Sequence, residues 1–201
     1  MARSGLLMKY SDGKIAGALI FVASAQFIIA LIVAEALYPG YSVSQNFISD
    51  LGATCRATCL VVQPASMIFN SSVTLLGLMA IVASYFIKRQ FRSLVLAILV
   101  IMTGLGATGV GVFPETAGVI HHIFSLITFV FAGLSAIASF RVQKVPSKYL
   151  SVLLGVMTLV ALALYVSNTF LGLGQWGMER MIVYPALIWA VGFSASLMAS
   201  D

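Results

Sequence analysis

Long uncharged stretches of mostly apolar residues alternate along the chain with short segments that carry the charges. Six stretches contain no Asp, Glu, Lys or Arg: residues 15–34, 57–87, 93–114, 116–140, 149–178 and 181–200. Each is at least as long as the roughly 20 apolar residues that an α-helix needs to cross a bilayer. The pattern predicts six membrane-spanning helices near residues 15–37, 66–87, 93–112, 118–140, 149–171 and 180–199.

The composition supports a lipid environment, because 61% of the residues are hydrophobic and only 8% are charged. An average soluble protein has about 25% charged residues, so this chain could not cover a water-facing surface. In lipid every backbone amide needs an internal partner, and long stretches without period-two alternation favour helices over barrel strands. The prediction is an all-α six-helix bundle in which residues 1–201 form a single membrane domain.

The net charge of +5 is distributed unevenly. Nine of the eleven Lys and Arg residues precede the first helix or lie between helices 2 and 3 or 4 and 5: Arg3, Lys9, Lys14, Lys88, Arg89, Arg92, Arg141, Lys144 and Lys148. Cytoplasmic loops are enriched in these residues, so we expect a multi-pass protein of the cell membrane with both termini in the cytoplasm. The basic charge then orients the protein in its bilayer, and no nucleic-acid partner is expected.

The segment 38–65 is the one long connection between predicted helices, and on this topology it faces outward. It begins with the turn signal Tyr38-Pro39-Gly40 and mixes aromatic with polar residues, so we expect it to fold back onto the bundle. It also contains Cys55 and Cys59, the only cysteines in the chain. An outer compartment would permit a disulfide between them, whereas two cysteines without a nearby histidine give little support for a zinc site.

Helix 3 carries four glycines: Gly104, Gly106, Gly109 and Gly111. Small residues let neighbouring membrane helices approach closely, so we interpret these glycines as packing positions.

Outside the termini and the basic connections, the remaining ionisable residues map to the opposite end of the bundle. They are Glu35, Asp50, Arg56, Glu115, His121, His122, Glu179 and Arg180. His121 and His122 are adjacent on helix 4, where neighbours diverge by about 100 degrees, so at most one points well into the bundle. Ser125 shares a helix face with one or the other. Ionisable groups at membrane depth tend to mark function, which makes these histidines candidates for a site.

Ser49 and Asp50 supply a hydroxyl and a carboxylate on the segment expected to cover the bundle. A serine, a histidine and a carboxylate are the set needed for nucleophilic acyl transfer, because imidazole can take the hydroxyl proton while the carboxylate fixes its tautomer. Alternatively, Asp50, Glu115 and a histidine could bind a divalent metal and activate water. A site with three histidine ligands is excluded, since the chain has two histidines.

Further polar residues complete the predicted site. Glu179 could orient a histidine in place of Asp50, and Arg180 could bind Asp50 or a lipid phosphate. The alternative interpretation of Glu179 and Arg180 is an ordinary pair of charges near the membrane interface. Asn70 and Ser125 are assigned, with Arg180, to substrate binding, and no cofactor is expected unless the metal alternative holds.

These motifs and their order along the chain resemble those of a known membrane family, domain of unknown function 998. The resemblance rests on Asn46-Phe47-Ile48-Ser49-Asp50-Leu51-Gly52, Gly111-Val112-Phe113-Pro114-Glu115 leading into His121-His122, and Glu179-Arg180 with Tyr184-Pro185 and Trp189. It implies that one shared site contains Ser49, Asp50, Pro114, one of the two histidines, Glu179 and Arg180. No general activity is established for the family. Ceramidase-like metal hydrolases also place Ser, Asp and His at one membrane face, but this chain lacks their third histidine and seventh helix.

The first functional hypothesis is therefore an integral membrane hydrolase that acts on an ester or lipid-like amphiphile at an outward-facing site. Ser49 would be the nucleophile, His121 or His122 the base, and Asp50 or Glu179 the orienting carboxylate. The alternatives are a non-catalytic lipid-binding, sensing or assembly protein, and a metal-dependent lipid hydrolase. A transporter is disfavoured because the inner halves of the helices carry almost no polar groups.

Overall fold

The computed structural model describes residues 11–56 and 58–199, and in this part of the chain it confirms the all-α fold with six long helices. They are α1 (Asp12–Leu37), α2 (Ala65–Phe91), α3 (Leu94–Val112), α4 (Val119–Ala138), α5 (Ser147–Val166) and α6 (Gly174–Met198). Each is long and apolar enough to cross a membrane. The protein is thus a multi-pass membrane protein. Arg3 and Lys9 of the basic set lie outside the described residues.

Short elements occupy three of the connections. Residues Ser49–Leu51, Glu115–Ala117 and Ser139–Arg141 form single 3₁₀ turns. Strands β1 (Thr54–Cys55) and β2 (Cys59–Leu60) pair antiparallel as a minimal hairpin, in which Cys55 faces Cys59. The predicted disulfide joins these two cysteines.

Consecutive helices pack against each other, and α6 closes the ring against α1. The connections α1–α2, α3–α4 and α5–α6 therefore meet at one end of the bundle, which we call the loop end. The connections α2–α3 and α4–α5 meet at the other end, which we call the basic end because Arg92, Arg141 and Lys144 lie there. The predicted separation of the two sets of polar residues is reproduced by this arrangement.

The start of α6 differs most from its predicted position. The helix begins at Gly174 rather than near 180, and α5 ends at Val166 rather than near 171. The backbone between them takes positive φ at Asn168, Leu171 and Gly172, which breaks the helical path earlier than the hydrophobic pattern suggests. As a result, Glu179 and Arg180 lie in the second turn of α6 and project from a rigid helix rather than from a loop.

The glycines of α3 are packing positions, as predicted, and they serve two different neighbours. A Cβ at Gly104 would lie 2.7 Å from the carbonyl oxygen of Gly77 in α2. A Cβ at Gly106 would lie 2.6 Å from the backbone nitrogen of Thr128 in α4. Real Cβ atoms essentially never come so close to backbone atoms, so α3 can sit between α2 and α4 only because these positions lack side chains.

Candidate functional site

The segment 38–64 folds back onto the loop end of the bundle, as predicted. Ile48 and Leu51 are 3% and 0% exposed and belong to an apolar cluster with Phe69 of α2. The 3₁₀ turn Ser49–Leu51 between them is therefore held inside the mouth of the bundle. This turn places Ser49 and Asp50 among the ends of the helices.

Asp50 holds the turn together. It is 1% exposed, and its Oδ2 accepts hydrogen bonds from Asn46 Nδ2 and the Phe47 amide, both at 2.9 Å. Arg56 donates to the same oxygen at 3.0 Å. These three donors all come from the segment itself. The structure thus gives Asp50 a place inside the loop, and Asp50 lines neither of the two cavities described below.

Glu179 anchors the turn to α6. Its buried carboxylate accepts a hydrogen bond from the backbone amide of Ile48 at 2.5 Å, and a second from the backbone of Ser49. Free amides at the start of a helical turn favour a negative partner, and here a different helix supplies it. The predicted contact between Glu179 and a histidine is replaced by this contact with the backbone that carries Ser49.

Arg180 anchors the same segment one residue later. Only 5% exposed, it donates to the Asn46 carbonyl at 2.8 Å, to the Tyr41 hydroxyl at 2.7 Å and to the Trp176 carbonyl at 3.0 Å. Its nearest carboxylate is Glu35 of α1, at 3.8 Å. The predicted partner Asp50 is instead bound by Arg56. Arg180 therefore ties the segment to α6 and α1.

Tyr41 completes this attachment from within the segment. Its hydroxyl donates to the Phe47 carbonyl at 3.0 Å while accepting from Arg180. Burial raises the pKa of Tyr41 well above the ordinary tyrosine value, and the neighbouring Arg180 opposes that shift only in part. The hydroxyl therefore stays protonated and keeps its donor across the physiological range.

Asn70, predicted to bind substrate, also contacts the segment. Its amide nitrogen donates to the Gly52 carbonyl at 3.2 Å, and the Ser66 hydroxyl donates to the same oxygen at 2.5 Å. A Cβ at Gly52 would lie 2.5 Å from Asn70 Oδ1, so the close approach requires glycine there. Asn70 lines neither cavity.

The two histidines differ in exposure. His121 is 3% exposed, whereas His122 is exposed. His121 Nδ1 lies 2.9 Å from the carbonyl oxygen of Phe113. A carbonyl can only accept, so Nδ1 carries the hydrogen and, in the neutral ring, Nε2 is left as a lone-pair acceptor. His121 is the histidine that points into the bundle, and its orientation is set by a backbone group.

A cavity of about 420 Å³ opens at the loop end among α4, α5 and α6, and we call it the lateral cavity. Its polar lining residues are Ser49, Glu115, His121, His122, Ser125, Tyr165 and Glu179. Six of the candidate residues from the sequence therefore line this cavity: Ser49, Glu115, His121, His122, Ser125 and Glu179. Among the described hydrogen bonds, none joins Ser49 to either histidine.

Glu115 forms the rim of the lateral cavity beside the disulfide. Its Oε2 accepts a hydrogen bond from the Cys55 amide at 2.8 Å. Burial raises the pKa of Glu115 above its ordinary value of 4.5, and the bond from Cys55 opposes this only in part. Within the described residues no three His, Cys, Asp or Glu side chains lie close enough to hold a metal ion. Asp50, Glu115 and a histidine thus do not form the predicted metal site.

The raised pKa of Glu115 predicts a pH dependence of stability. Because the folded state holds the proton more tightly than the unfolded state, this group's contribution is complete below pH 4.5 and is lost as the pH rises through the folded pKa. We therefore expect Glu115→Gln to flatten the fall in thermal stability just above pH 4.5. The measurement is the melting temperature of both proteins across that range. Parallel curves for the variant and the native protein would contradict the assignment.

Phe113 contributes a backbone carbonyl, which its residue type does not signal. Asn46 belongs to a motif of the resemblance but has no predicted role, and Tyr41 appears in the sequence only as one of the aromatic residues of the segment. Phe113 directly precedes Pro114, and a proline favours an extended conformation of the residue before it. This is the one hint in the sequence that the Phe113 carbonyl would point away from its own helix.

Comparison with known proteins identifies one protein family that this chain matches. A family model described as "Protein of unknown function (DUF998)" matches residues 21–196. The match extends from α1 to α6 and includes every residue of the lateral cavity. No curated protein and no solved structure matches the chain.

Proposed function

This chain belongs to the DUF998 family, and from that premise we propose that it is an integral membrane hydrolase acting on an ester or lipid-like substrate. The observation that supports the proposal is the lateral cavity, where the Ser49 hydroxyl and the His121 ring line one space. A nucleophile and a base that line one cavity are the two groups that act directly on the ester in acyl transfer.

His121 is the base of this proposal. The Phe113 carbonyl fixes its tautomer, which is the task that a carboxylate performs in the familiar triad. Nε2 would take the proton of the Ser49 hydroxyl as the oxygen attacks the ester carbonyl, and would return it to the leaving alcohol. A water molecule would then attack the acyl carbon and give its proton to Nε2, which passes that proton to the Ser49 oxygen as the free acid leaves. Catalytic hydrogen bonds are often longer in the absence of substrate, so the separate positions of Ser49 and His121 are compatible with this chemistry.

Glu179 is a positioning residue. Its carboxylate binds the backbone amides of Ile48 and Ser49, which holds in place the backbone that carries the Ser49 side chain. Arg180 secures the preceding residues in the same way, so we assign it to the loop rather than to a substrate phosphate.

The substrate would enter from the lipid. The apolar walls of the lateral cavity are formed by Leu126, Phe129, Leu162, Val166 and Ile182. An amphiphile that passes along these walls could bring its ester group to Ser49 and His121. We further propose that the loop end faces outward and both termini face the cytoplasm, since the described basic connections lie at the opposite end.

Ser49→Ala and His121→Gln test the reaction. Each should lower the hydrolysis of nitrophenyl esters and lipid esters by about 10²–10⁴-fold, which is the usual contribution of a positioned acid or base. Ser44→Ala is the matched control, because Ser44 lies in the same segment but is exposed and outside the cavity. Melting temperatures near that of the native protein would separate lost chemistry from lost folding. Full turnover in both site variants would refute the proposal.

A non-catalytic lipid-binding or assembly protein is the second candidate. It is favoured by the hydrogen bonds of Asp50, Glu179 and Arg180, all of which include partners in the segment 38–64. On this alternative the polar cluster exists to hold the segment in place. It predicts that variants of these three residues lower the melting temperature, while no ester is turned over by the native protein.

A further inference from the structure

A second cavity runs through the middle of the bundle, and we call it the interior cavity. Its volume is about 140 Å³, and its lining comes from α1, α2, α3, α4, α6 and the 3₁₀ turn. Nearly all of its wall is apolar, including Phe27, Val73, Val100 and Trp189. In another protein, an apolar cavity of about 150 Å³ stays dry and binds benzene. The interior cavity is therefore suited to a hydrocarbon group.

The interior and lateral cavities meet at the candidate site. Ser49, Ser125, Phe129 and Glu179 line both of them. Ser49 thus lies where the lateral cavity, which carries both histidines and Glu115, joins the almost wholly apolar interior cavity. An ester has the same division, since its carbonyl lies between a polar end and an acyl chain.

The interior cavity extends away from Ser49 along the axis of the bundle. Its lining includes Glu179 near the start of α6 and Ala190 further along the same helix. Eleven residues of helix correspond to about 16 Å. Ala80 of α2 and Val100 of α3 line it as well, so its deep end reaches the half of the bundle that is closer to the basic end. The lining therefore extends along the axis of the bundle, as an extended acyl chain would.

We propose that the interior cavity binds the acyl chain of the substrate and selects esters by the length of that chain. This inference rests on the proposed function, because it places the ester carbonyl at Ser49. The polar end of the amphiphile would then occupy the lateral cavity beside His121 and His122. Chains that fill the cavity bind best, and a shorter cavity prefers a shorter chain.

Trp189 provides a probe of occupancy that does not depend on turnover. It lines the interior cavity and is 6% exposed, and the only other tryptophan is Trp176. Trp176→Phe leaves Trp189 as the single tryptophan, and it removes an indole nitrogen that has no hydrogen-bond partner. Bromine quenches tryptophan at short range. A fatty acid brominated at its terminal carbon should therefore quench Trp189 when its chain lies in the cavity.

The experiment titrates the Trp176→Phe protein in lipid vesicles with ω-bromohexanoic, ω-bromodecanoic and ω-bromohexadecanoic acids. We expect saturable quenching that depends on chain length. Ala190→Leu and Ala80→Leu shorten the deep end from two different helices, and either should weaken the binding of the longer acids about tenfold, through lost room for about two methylene groups. Ala163→Leu is the matched control, because Ala163 is exposed on α5 and outside both cavities.

The outcomes separate this inference from the proposed function. Quenching that does not saturate, or that is identical in the native-cavity and Ala190→Leu proteins, would overturn the interior cavity as the chain site even if esters are hydrolysed. Saturable quenching that is lost in Ala190→Leu or Ala80→Leu, in a protein without hydrolase activity, would support the chain site and refute the hydrolase.

Discussion

Replacing Gly77 with alanine should destabilise the bundle by about 1–3 kcal/mol, and leucine should leave little folded protein. A Cβ at Gly77 would overlap the carbonyl oxygen of Gly104 and lie 2.5 Å from the backbone nitrogen of Thr108. Both obstacles are backbone atoms of α3, which no side-chain rotation can move. The two helices would have to separate, and the packing along their whole contact would be lost with them.

Gly192→Ala is the matched control for Gly77→Ala. Gly192 also lies within a helix, but a Cβ there would meet no atom within 4 Å. Alanine has a higher helix propensity than glycine, so Gly192→Ala should be as stable as the native protein or slightly more stable. The measurement is the free energy of unfolding in a denaturing detergent titration. Equal stability of the two alanine variants would show that α2 and α3 do not pack at Gly77.

The sequence was sufficient to predict the six helices because each is a long apolar segment bounded by charges or turns, and both signals are local. The prediction that α3 packs through its glycines also rests on a local signal. The sequence does not show which glycine faces which neighbouring helix. Gly104 contacts α2 and Gly106 contacts α4, and this division depends on the order of the helices around the ring.

The start of α6 illustrates the limit of the hydrophobic pattern. The charges of Glu179 and Arg180 interrupt the uncharged stretches, so the hydrophobic pattern predicts that the helix begins near residue 180. In the structure they are buried within the helix, because each finds hydrogen-bond partners in the segment 38–64. A buried charge is tolerated only when it is paired, and partners more than a hundred residues away leave no trace in a local pattern.

The residue types of the candidate site are visible in the sequence, but their contacts are not. Ser49, His121 and Glu179 do line one cavity. The side chains of His121 and His122 diverge by about 100 degrees around the helix. Which of them points into the bundle depends on how α4 is rotated about its own axis, and the sequence does not determine that rotation. The partner of His121 is a backbone carbonyl, and every residue has one, so residue types could not reveal it.

Arg180→Met should be the most destabilising change at the loop end, by about 3 kcal/mol or more. It would leave the Asn46 and Trp176 carbonyls and the Tyr41 hydroxyl without their buried donor, and an unpaired buried polar group costs about 1–3 kcal/mol. Arg180→Lys should be intermediate. An ammonium keeps the charge near Glu35, but it lacks the planar fork that reaches Asn46 and Tyr41 together.

Arg89→Met is the matched control, since Arg89 forms an ion pair with Asp12 at 3.0 Å but its side chain is 53% exposed. Exposed pairs contribute about 0–1 kcal/mol, so this variant should unfold almost like the native protein. Limited proteolysis provides a second readout, because release of the segment 38–64 should expose its backbone around Val43 before the bundle unfolds. If Arg180→Met were no less stable and no more cleavable than Arg89→Met, Arg180 would not be the residue that holds this segment over the site.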